Sequence, residues 1–331
     1  MMNAIRFHRK GPPEVLQYEM IDRPVPGVGH VLCRVRATGV NYADVMKRAG
    51  DSYPIPVELP FIPGAEAVVE IVESGEGVDP GLIGQRAVVF PGASCYADYV
   101  VVPTNRVYRL PERLDDEQAL ALFGQGTTAG IMLRQSTRMA KGDVVLIQAA
   151  AGGVGLVAVQ LAKAWGAGAV IGCASTPEKR ALVKEYGADL VVDYNKPGWT
   201  EDVRAFTGGR GVDIVLEMTG GQIAEECFDL MAMFGRSVVF GSVSEQSWLL
   251  DTGRLAHRSL SVAGFWTRPH LDNPVLFESM LAEFADLIEE GKLKVHLGGR
   301  WPLSQAAKAH AAIESRTATG KQILVPDSVF S

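Results

Sequence analysis

The stretch IQAAAGGVGLVAVQLA, residues 147–162, restricts the fold more than any other part of this chain. An apolar run ends in small residues, turns at Gly152, Gly153 and Gly155, and continues with helical periodicity. From Ala150 the turn reads A-x-G-x-x-G, with Ala where the usual dinucleotide fingerprint opens on Gly. Alone, the match is weak. Its surroundings give it weight. Residues 144–148, 169–173, 190–193, 213–217 and 237–241 read as strands, and residues 155–165, 177–186 and 223–234 read as helices between them. Alternating βα units imply an α/β fold with a parallel, doubly wound sheet. In such a turn the glycines let the backbone approach a pyrophosphate, and the helix start offers unpaired N–H groups and a partial positive charge. Gly152, Gly153, Val154 and Gly155 are therefore candidate cofactor residues. The competing reading is a tight strand–helix turn that binds nothing.

At 331 residues the chain is long for one core, and two domains are expected. The first 110 residues are punctuated by Pro and Gly and carry short β-branched runs at 31–37, 67–72, 86–90 and 99–102, the texture of a mostly β domain. Residues 117–133 turn helical, 272–291 form a long amphipathic helix, and 306–326 read as helix, turn and strand returning to the first domain. A net charge of −6 provides no basic face for nucleic acid or an anionic membrane surface. Apolar runs such as 166–174 are far shorter than the roughly 20 residues that span a bilayer. The start, MMNAIRFHRKGPPE, lacks the apolar segment of a secretory signal, so a cytoplasmic protein is expected. Cys33, Cys95, Cys173 and Cys227 have no C-x-x-C spacing and read as small buried hydrophobes.

An NAD site usually places a carboxylate after the second strand, to bond the ribose hydroxyls. Here that place holds Ala174 and Ser175, followed by Lys179 and Arg180. The missing negative charge and the two cations suit a 2′-phosphate, and hence NADPH. Lys179 and Arg180 also fit an ordinary solvated helix face, as most such pairs do, so the absent acid is the sharper half of the signal.

The segments GVNYADVMKRAG (39–50), LPFIPGAEAVVEIVESGEGV (59–78), AAAGGVG (149–155), GADLVVDY (187–194) and ESRTATGKQIL (314–324) occur in that order. Together they resemble the medium-chain dehydrogenase/reductase family, and within it the zinc-free, zeta-crystallin-like quinone oxidoreductases. The resemblance implies a GroES-like β-rich domain over 1–124 and 266–331 and a Rossmann domain over 125–265. It also implies a cleft holding the cofactor, with the acceptor stacked on the nicotinamide.

Zinc members of the family carry Cys where this chain has Asn41 and His where it has Ala65; their third ligand falls near Gln125. The four-cysteine structural lobe has no counterpart, Cys95 being the one cysteine in that region. Asn and Ala cannot replace a thiolate and an imidazole on Zn²⁺, and none of the six histidines has metal-motif spacing, so no metal is expected. Without a Lewis acid for an alkoxide, alcohol oxidation gives way to reduction of acceptors that delocalise charge themselves. A quinone is the first such acceptor. The alternatives are a 2-enal, enone or enoyl thioester, or a non-catalytic, zeta-crystallin-like binding role.

Tyr42 and Tyr53 are the candidate catalytic side chains, although Tyr42 is equally well read as packing. Asp44 and Glu66 read as supports for the turn and the cleft wall. The resemblance places Asn41 near the nicotinamide and Thr128 near the domain junction. It puts Ser175, Lys179 and Tyr194 around the 2′-phosphate, with Arg316 reaching it from the tail. Phe240, Gly241, Ser242, Phe265 and Trp266 would flank the nicotinamide. It further implies a homodimer formed by strand pairing near 237–243.

Overall fold

The computed structural model describes residues 1–50, 53–244, 246 and 248–329. The chain divides into two units: Met1–Gly124, Leu271–Ala285 and Val295–Ser331 form the first, Gln125–His270 and Asp286–Lys294 the second. Residues 266–270 and 286–294, expected in the β-rich domain, thus fall in the second unit.

The first unit opens with an antiparallel hairpin of β1 (Met2–Arg6) and β2 (Gln17–Ile21). The long strand β3 (His30–Val40) leads into helix α1 (Tyr42–Ala49), followed by β4 (Ala67–Ser74), β5 (Arg86–Val89), β6 (Tyr99–Pro103) and β7 (Val107–Arg109). β3 pairs with both β4 and β6 and is covered on both faces, which is why Val31, Leu32 and Cys33 are all fully buried rather than alternating. Helix α2 (Asp116–Ala121) begins at an Asp115–Gln118 capping box, which satisfies two terminal N–H groups reciprocally.

The expected helix over 117–133 forms, but with π-helical turns at Leu122–Gly126 and Met132–Ser136 on either side of α3 (Thr127–Ile131). The second unit's sheet then alternates with helices. In chain order come β8 (Val144–Ile147), α4 (Gly153–Ala164), β9 (Ala169–Cys173), α5 (Pro177–Glu185) and β10 (Leu190–Val192). They are followed by α6 (Trp199–Phe206), β11 (Val212–Glu217), α7 (Gly221–Asp229), β12 (Met231–Val239), α8 (Gly253–Arg258) and β13 (Ser261–Gly264). All six strands are parallel, in the order β10-β9-β8-β11-β12-β13. This is the doubly wound sheet that the strand–helix rhythm implies.

Two expectations are corrected here. The helix expected over 223–234 stops at Asp229, and its last residues belong to β12. There the β11–β12 register shifts and Phe234 adopts a left-handed φ of 61°, so Met233 and Phe234 point outward where a helix would have buried them. Residues 237–239 are not free for strand pairing between subunits, because β12 there pairs with β11 on one side and β13 on the other. The free edge of the sheet on this side is β13.

Helix α9 (Pro274–Glu289) precedes the chain's return to the β-rich unit through β14 (Leu297–Pro302), α10 (Ala306–Glu314) and β15 (Lys321–Val325). β15 pairs antiparallel with the end of β3, and the sheet runs β14-β15-β3-β4-β5-β7. Among the described residues no helix is long and apolar enough to cross a membrane.

Candidate functional site

In the second unit the strand order reverses between β8 and β11, the place where open α/β sheets bind ligands at the carboxyl ends of their strands. The glycine turn lies there. Ala149 holds a φ of 45°, Gly152 donates its N–H to the Ala149 carbonyl at 2.9 Å, and Gly152 then caps α4 without a side-chain cap hydrogen bond. The N–H groups of Gly153, Val154 and Gly155 therefore have no intrahelical acceptor. A Cβ on Gly155 would lie 2.5 Å from the Ala149 carbonyl oxygen and 2.6 Å from the Ala150 Cα, so glycine is what lets the helix sit this close to the strand. A Cβ on Gly153 would meet the Gln125 side-chain amide at 2.0 Å. Gln125, at the position aligned loosely with a third zinc ligand, thus packs its amide onto the first turn of α4.

Beyond β9, Ala174 donates its N–H to the Val192 carbonyl and Ser175 is half-buried, so neither residue directly after the strand carries a carboxylate. Thr176 caps α5 by accepting the Lys179 N–H at 3.3 Å. The two cations part company: Arg180 pairs with Asp193 at 2.8 Å and donates to the Ala174 carbonyl, whereas Lys179 is half-buried in the first turn of α5. Tyr194 packs against the apolar core of the unit.

Two residues that sequence reasoning missed shape the other side of this crevice. Gln148, following β8, accepts the N–H groups of Met218 and Thr219; Glu217, ending β11, accepts those of Thr219 and Gly220 at 2.8 Å each. Burial pushes the Glu217 carboxyl upward, while the Gly220 and Thr219 N–H groups pull it back. The loop so held accepts the N–H groups of Val243 and Ser244, and Gly241 lies beside Met218. Phe240 donates its N–H to the Glu217 carbonyl, which places the 240–242 turn beside the same crevice. Phe265 donates to the Val239 carbonyl and stacks on His270 at 5.3 Å, and Trp266 is exposed next to it. Thr128 is buried, its hydroxyl 3.0 Å from that of Thr267.

The first unit contains a second polar cluster. Asn41 caps α1 at the end of β3, Glu66 precedes β4, and Lys321 opens β15, so three adjacent strands bring them to one end of the sheet. Lys321 Nζ donates to Glu66 Oε1 at 2.5 Å and to Asn41 Oδ1 at 3.0 Å, and Asn41 Nδ2 donates to Glu66 Oε1 at 2.9 Å. Lys321 and Glu66 are wholly buried. Asp44 accepts the N–H groups of Asn41 and Gly64, and burial pushes its carboxyl up.

Tyr42 starts α1 and is partly exposed. The Tyr53 ring has the buried Lys47 ammonium 4.9 Å from its centroid, and that ammonium also donates to the Gly92 carbonyl. Arg316 lies exposed just after α10, with a left-handed φ of 56°. Ala65 is buried and offers no ligand atom. Among the described residues no group of three or more His, Cys, Asp or Glu side chains is placed to hold a metal ion.

Comparison with known proteins agrees with this architecture. Residues 27–112 match the alcohol dehydrogenase GroES-like domain family, and residues 153–286 match the zinc-binding dehydrogenase family. A quinone oxidoreductase of Pseudomonas aeruginosa is 35% identical over 98% of this chain and 100% of its own length. A 2-haloacrylate reductase from a Burkholderia species is 32% identical over 99% of this chain and 100% of its own. The structure of Escherichia coli quinone oxidoreductase complexed with NADPH superposes with a TM-score of 0.91 at 30% identity, covering 98% of this chain and 100% of that one. The chain belongs to the medium-chain dehydrogenase/reductase family of oxidoreductases and stands beside its quinone oxidoreductases.

Proposed function

We propose that this protein is a metal-independent reductase that transfers a hydride from NADPH to a quinone. The observation that carries the cofactor reading is the start of α4 at the reversal of the strand order, with no side-chain cap on its first N–H groups and with Gly155 letting the helix approach the strand closely. The bare end of β9 favours NADPH over NADH, since Ala174 and Ser175 put no charge against a 2′-phosphate. The NADPH complex of the Escherichia coli relative supports the same choice. Ser175, Lys179, Tyr194 and Arg316 then hold the phosphate. Thr128, Asn41, Phe240, Gly241, Ser242, Phe265 and Trp266 belong to the nicotinamide end.

The preference for a quinone is supported by the similarity to quinone oxidoreductases, and positions 41 and 65 support metal independence. An amide and a methyl group offer no Zn²⁺ ligand set, and a quinone needs none, because its reduced anion delocalises the charge it receives. Positioning then provides most of the acceleration. A second reading, reduction of an activated alkene, is favoured by the similarity to 2-haloacrylate reductase. It uses the same cofactor residues and adds a proton donor for the α-carbon, for which Tyr42 and Tyr53 are the candidates.

Calorimetric titration together with steady-state kinetics tests the cofactor assignment. NADPH should bind more tightly than NADH, and Arg316→Ala should raise the KM for NADPH about 10-fold while leaving NADH nearly unchanged, as expected for loss of one charge-assisted contact. Equal effects on the two cofactors would remove Arg316 from the site.

A further inference from the structure

The Asn41–Glu66–Lys321 cluster is built more tightly than support of a helix start requires. Gly39 lies beneath it: a Cβ there would come within 2.6 Å of both Glu66 Oε1 and Lys321 Nζ. Gly124 covers its other side, where a Cβ would lie 2.3 Å from Glu66 Oε2. That oxygen is buried without a hydrogen-bond partner among the described residues, although a donor on a bulkier neighbour would satisfy it. Capping α1 does not need this arrangement either, since Asp44 already takes the Asn41 backbone N–H.

The cluster determines one thing fully, the orientation of the Asn41 side chain. Its carbonyl oxygen accepts from a buried ammonium and its nitrogen donates to a buried carboxylate, so a flipped amide would place donor against donor and acceptor against acceptor. Asn41 itself is only partly buried, and Nδ2 carries a second hydrogen that Glu66 does not use. A rigid N–H of known orientation at the surface of a charged, buried support is the construction that stabilises developing negative charge.

We propose that Asn41 is the hydrogen-bond donor to the acceptor's oxygen, and that Lys321 and Glu66 are the positioning residues that hold it there. The proposal rests on the reductase reading above and names the group that replaces a Lewis acid. When the acceptor takes the hydride and its two electrons from NADPH, leaving NADP⁺, its carbonyl oxygen becomes an oxyanion. The Asn41 N–H stabilises that oxyanion until a solvent proton completes the product.

The test is a kinetic cycle read with NADPH and a quinone, with cofactor binding followed separately by fluorescence. Asn41→Ala should lower kcat about 100-fold, the usual effect of deleting one oxyanion donor, a loss far larger than any accompanying rise in the dissociation constant for NADPH. The charge-neutral pair Lys321→Met with Glu66→Gln should cause a similar loss, and adding Asn41→Ala to it should cost nothing more. Losses that multiply, or an Asn41→Ala effect confined to NADPH binding, would overturn the proposal. If the neutral pair does not fold, the wild-type protein decides the positioning role through the Asn41 side-chain amide resonances. Two well-separated, slowly exchanging amide protons are expected, and a rapidly averaging amide would refute it. A wild-type protein that binds NADPH yet reduces no acceptor would instead defeat the reductase reading itself.

Discussion

His310 is buried against Tyr96, whose hydroxyl lies 3.1 Å from Nε2, while Nδ1 has no hydrogen-bond partner among the described residues. Burial, reinforced by the Arg48 guanidinium, pushes its pKa down to about 3. Between that value and the unfolded value of about 6.5 the unfolded chain takes up a proton that the folded chain refuses. Stability is therefore lost as pH falls through this window, by up to about 1.4 kcal/mol per pH unit. Asp44, whose carboxyl is raised by burial, acts in the opposite direction, so the comparison must be between two proteins that share it. His310→Gln should flatten the decline in urea midpoint between pH 6 and pH 4 relative to wild type. Parallel curves would mean that His310 does not titrate in this way. The sequence makes Tyr42 and Asn41 visible because a motif surrounds them. It leaves Lys321, Gln148 and Glu217 unremarked, since each acquires its role from partners on strands far away in the chain.

At the scale of elements, the strand–helix rhythm fixes the parallel sheet because each strand between 144 and 217 is a short apolar run followed by a helical period. The rhythm misleads at 223–234, where a helix and a strand abut with one residue between them and the apolar spacing of MAMF continues the helical pattern. The π-turns around α3 are invisible for a similar reason, as their hydrogen-bond shift leaves no mark on hydrophobic spacing. The start of α4 offers the sharpest element-level test. Gly153→Ala would drive a methyl group into the Gln125 amide, whereas Gly155→Ala would drive one into backbone. Gly153→Ala should weaken NADPH binding about tenfold or more, with Gln125→Ala in the same chain restoring most of the loss, since relieving an overpacked contact returns about 1–3 kcal/mol. Gly155→Ala should not be rescued by any side-chain truncation. Failure of Gln125→Ala to rescue Gly153→Ala would show that the amide is not what excludes a side chain at Gly153.

For the molecule as a whole, two units of different texture hold different groups. The parallel sheet presents an open helix start and a braced 218–220 loop, the equipment for a dinucleotide. The β-rich unit presents an oriented amide, two tyrosines and, at positions 41 and 65, Asn and Ala. Two units are to be expected from the length of the chain and from its change of texture between the first 110 residues and the strand–helix rhythm that follows. The return of the tail to the β-rich unit was legible from its strand signal. The allocation of 286–294 was not, because which unit a helix end joins depends on packing rather than on periodicity. The central claim, a metal-independent NADPH reductase of quinones, is tested most directly by NADPH oxidation with chelator-treated protein, an ortho-quinone and a 2-enoyl thioester being assayed side by side. Rapid turnover of the quinone, insensitive to chelator and to Tyr42→Phe, is the expected result. Turnover that requires added zinc, or that favours the thioester and falls with Tyr42→Phe, would contradict it.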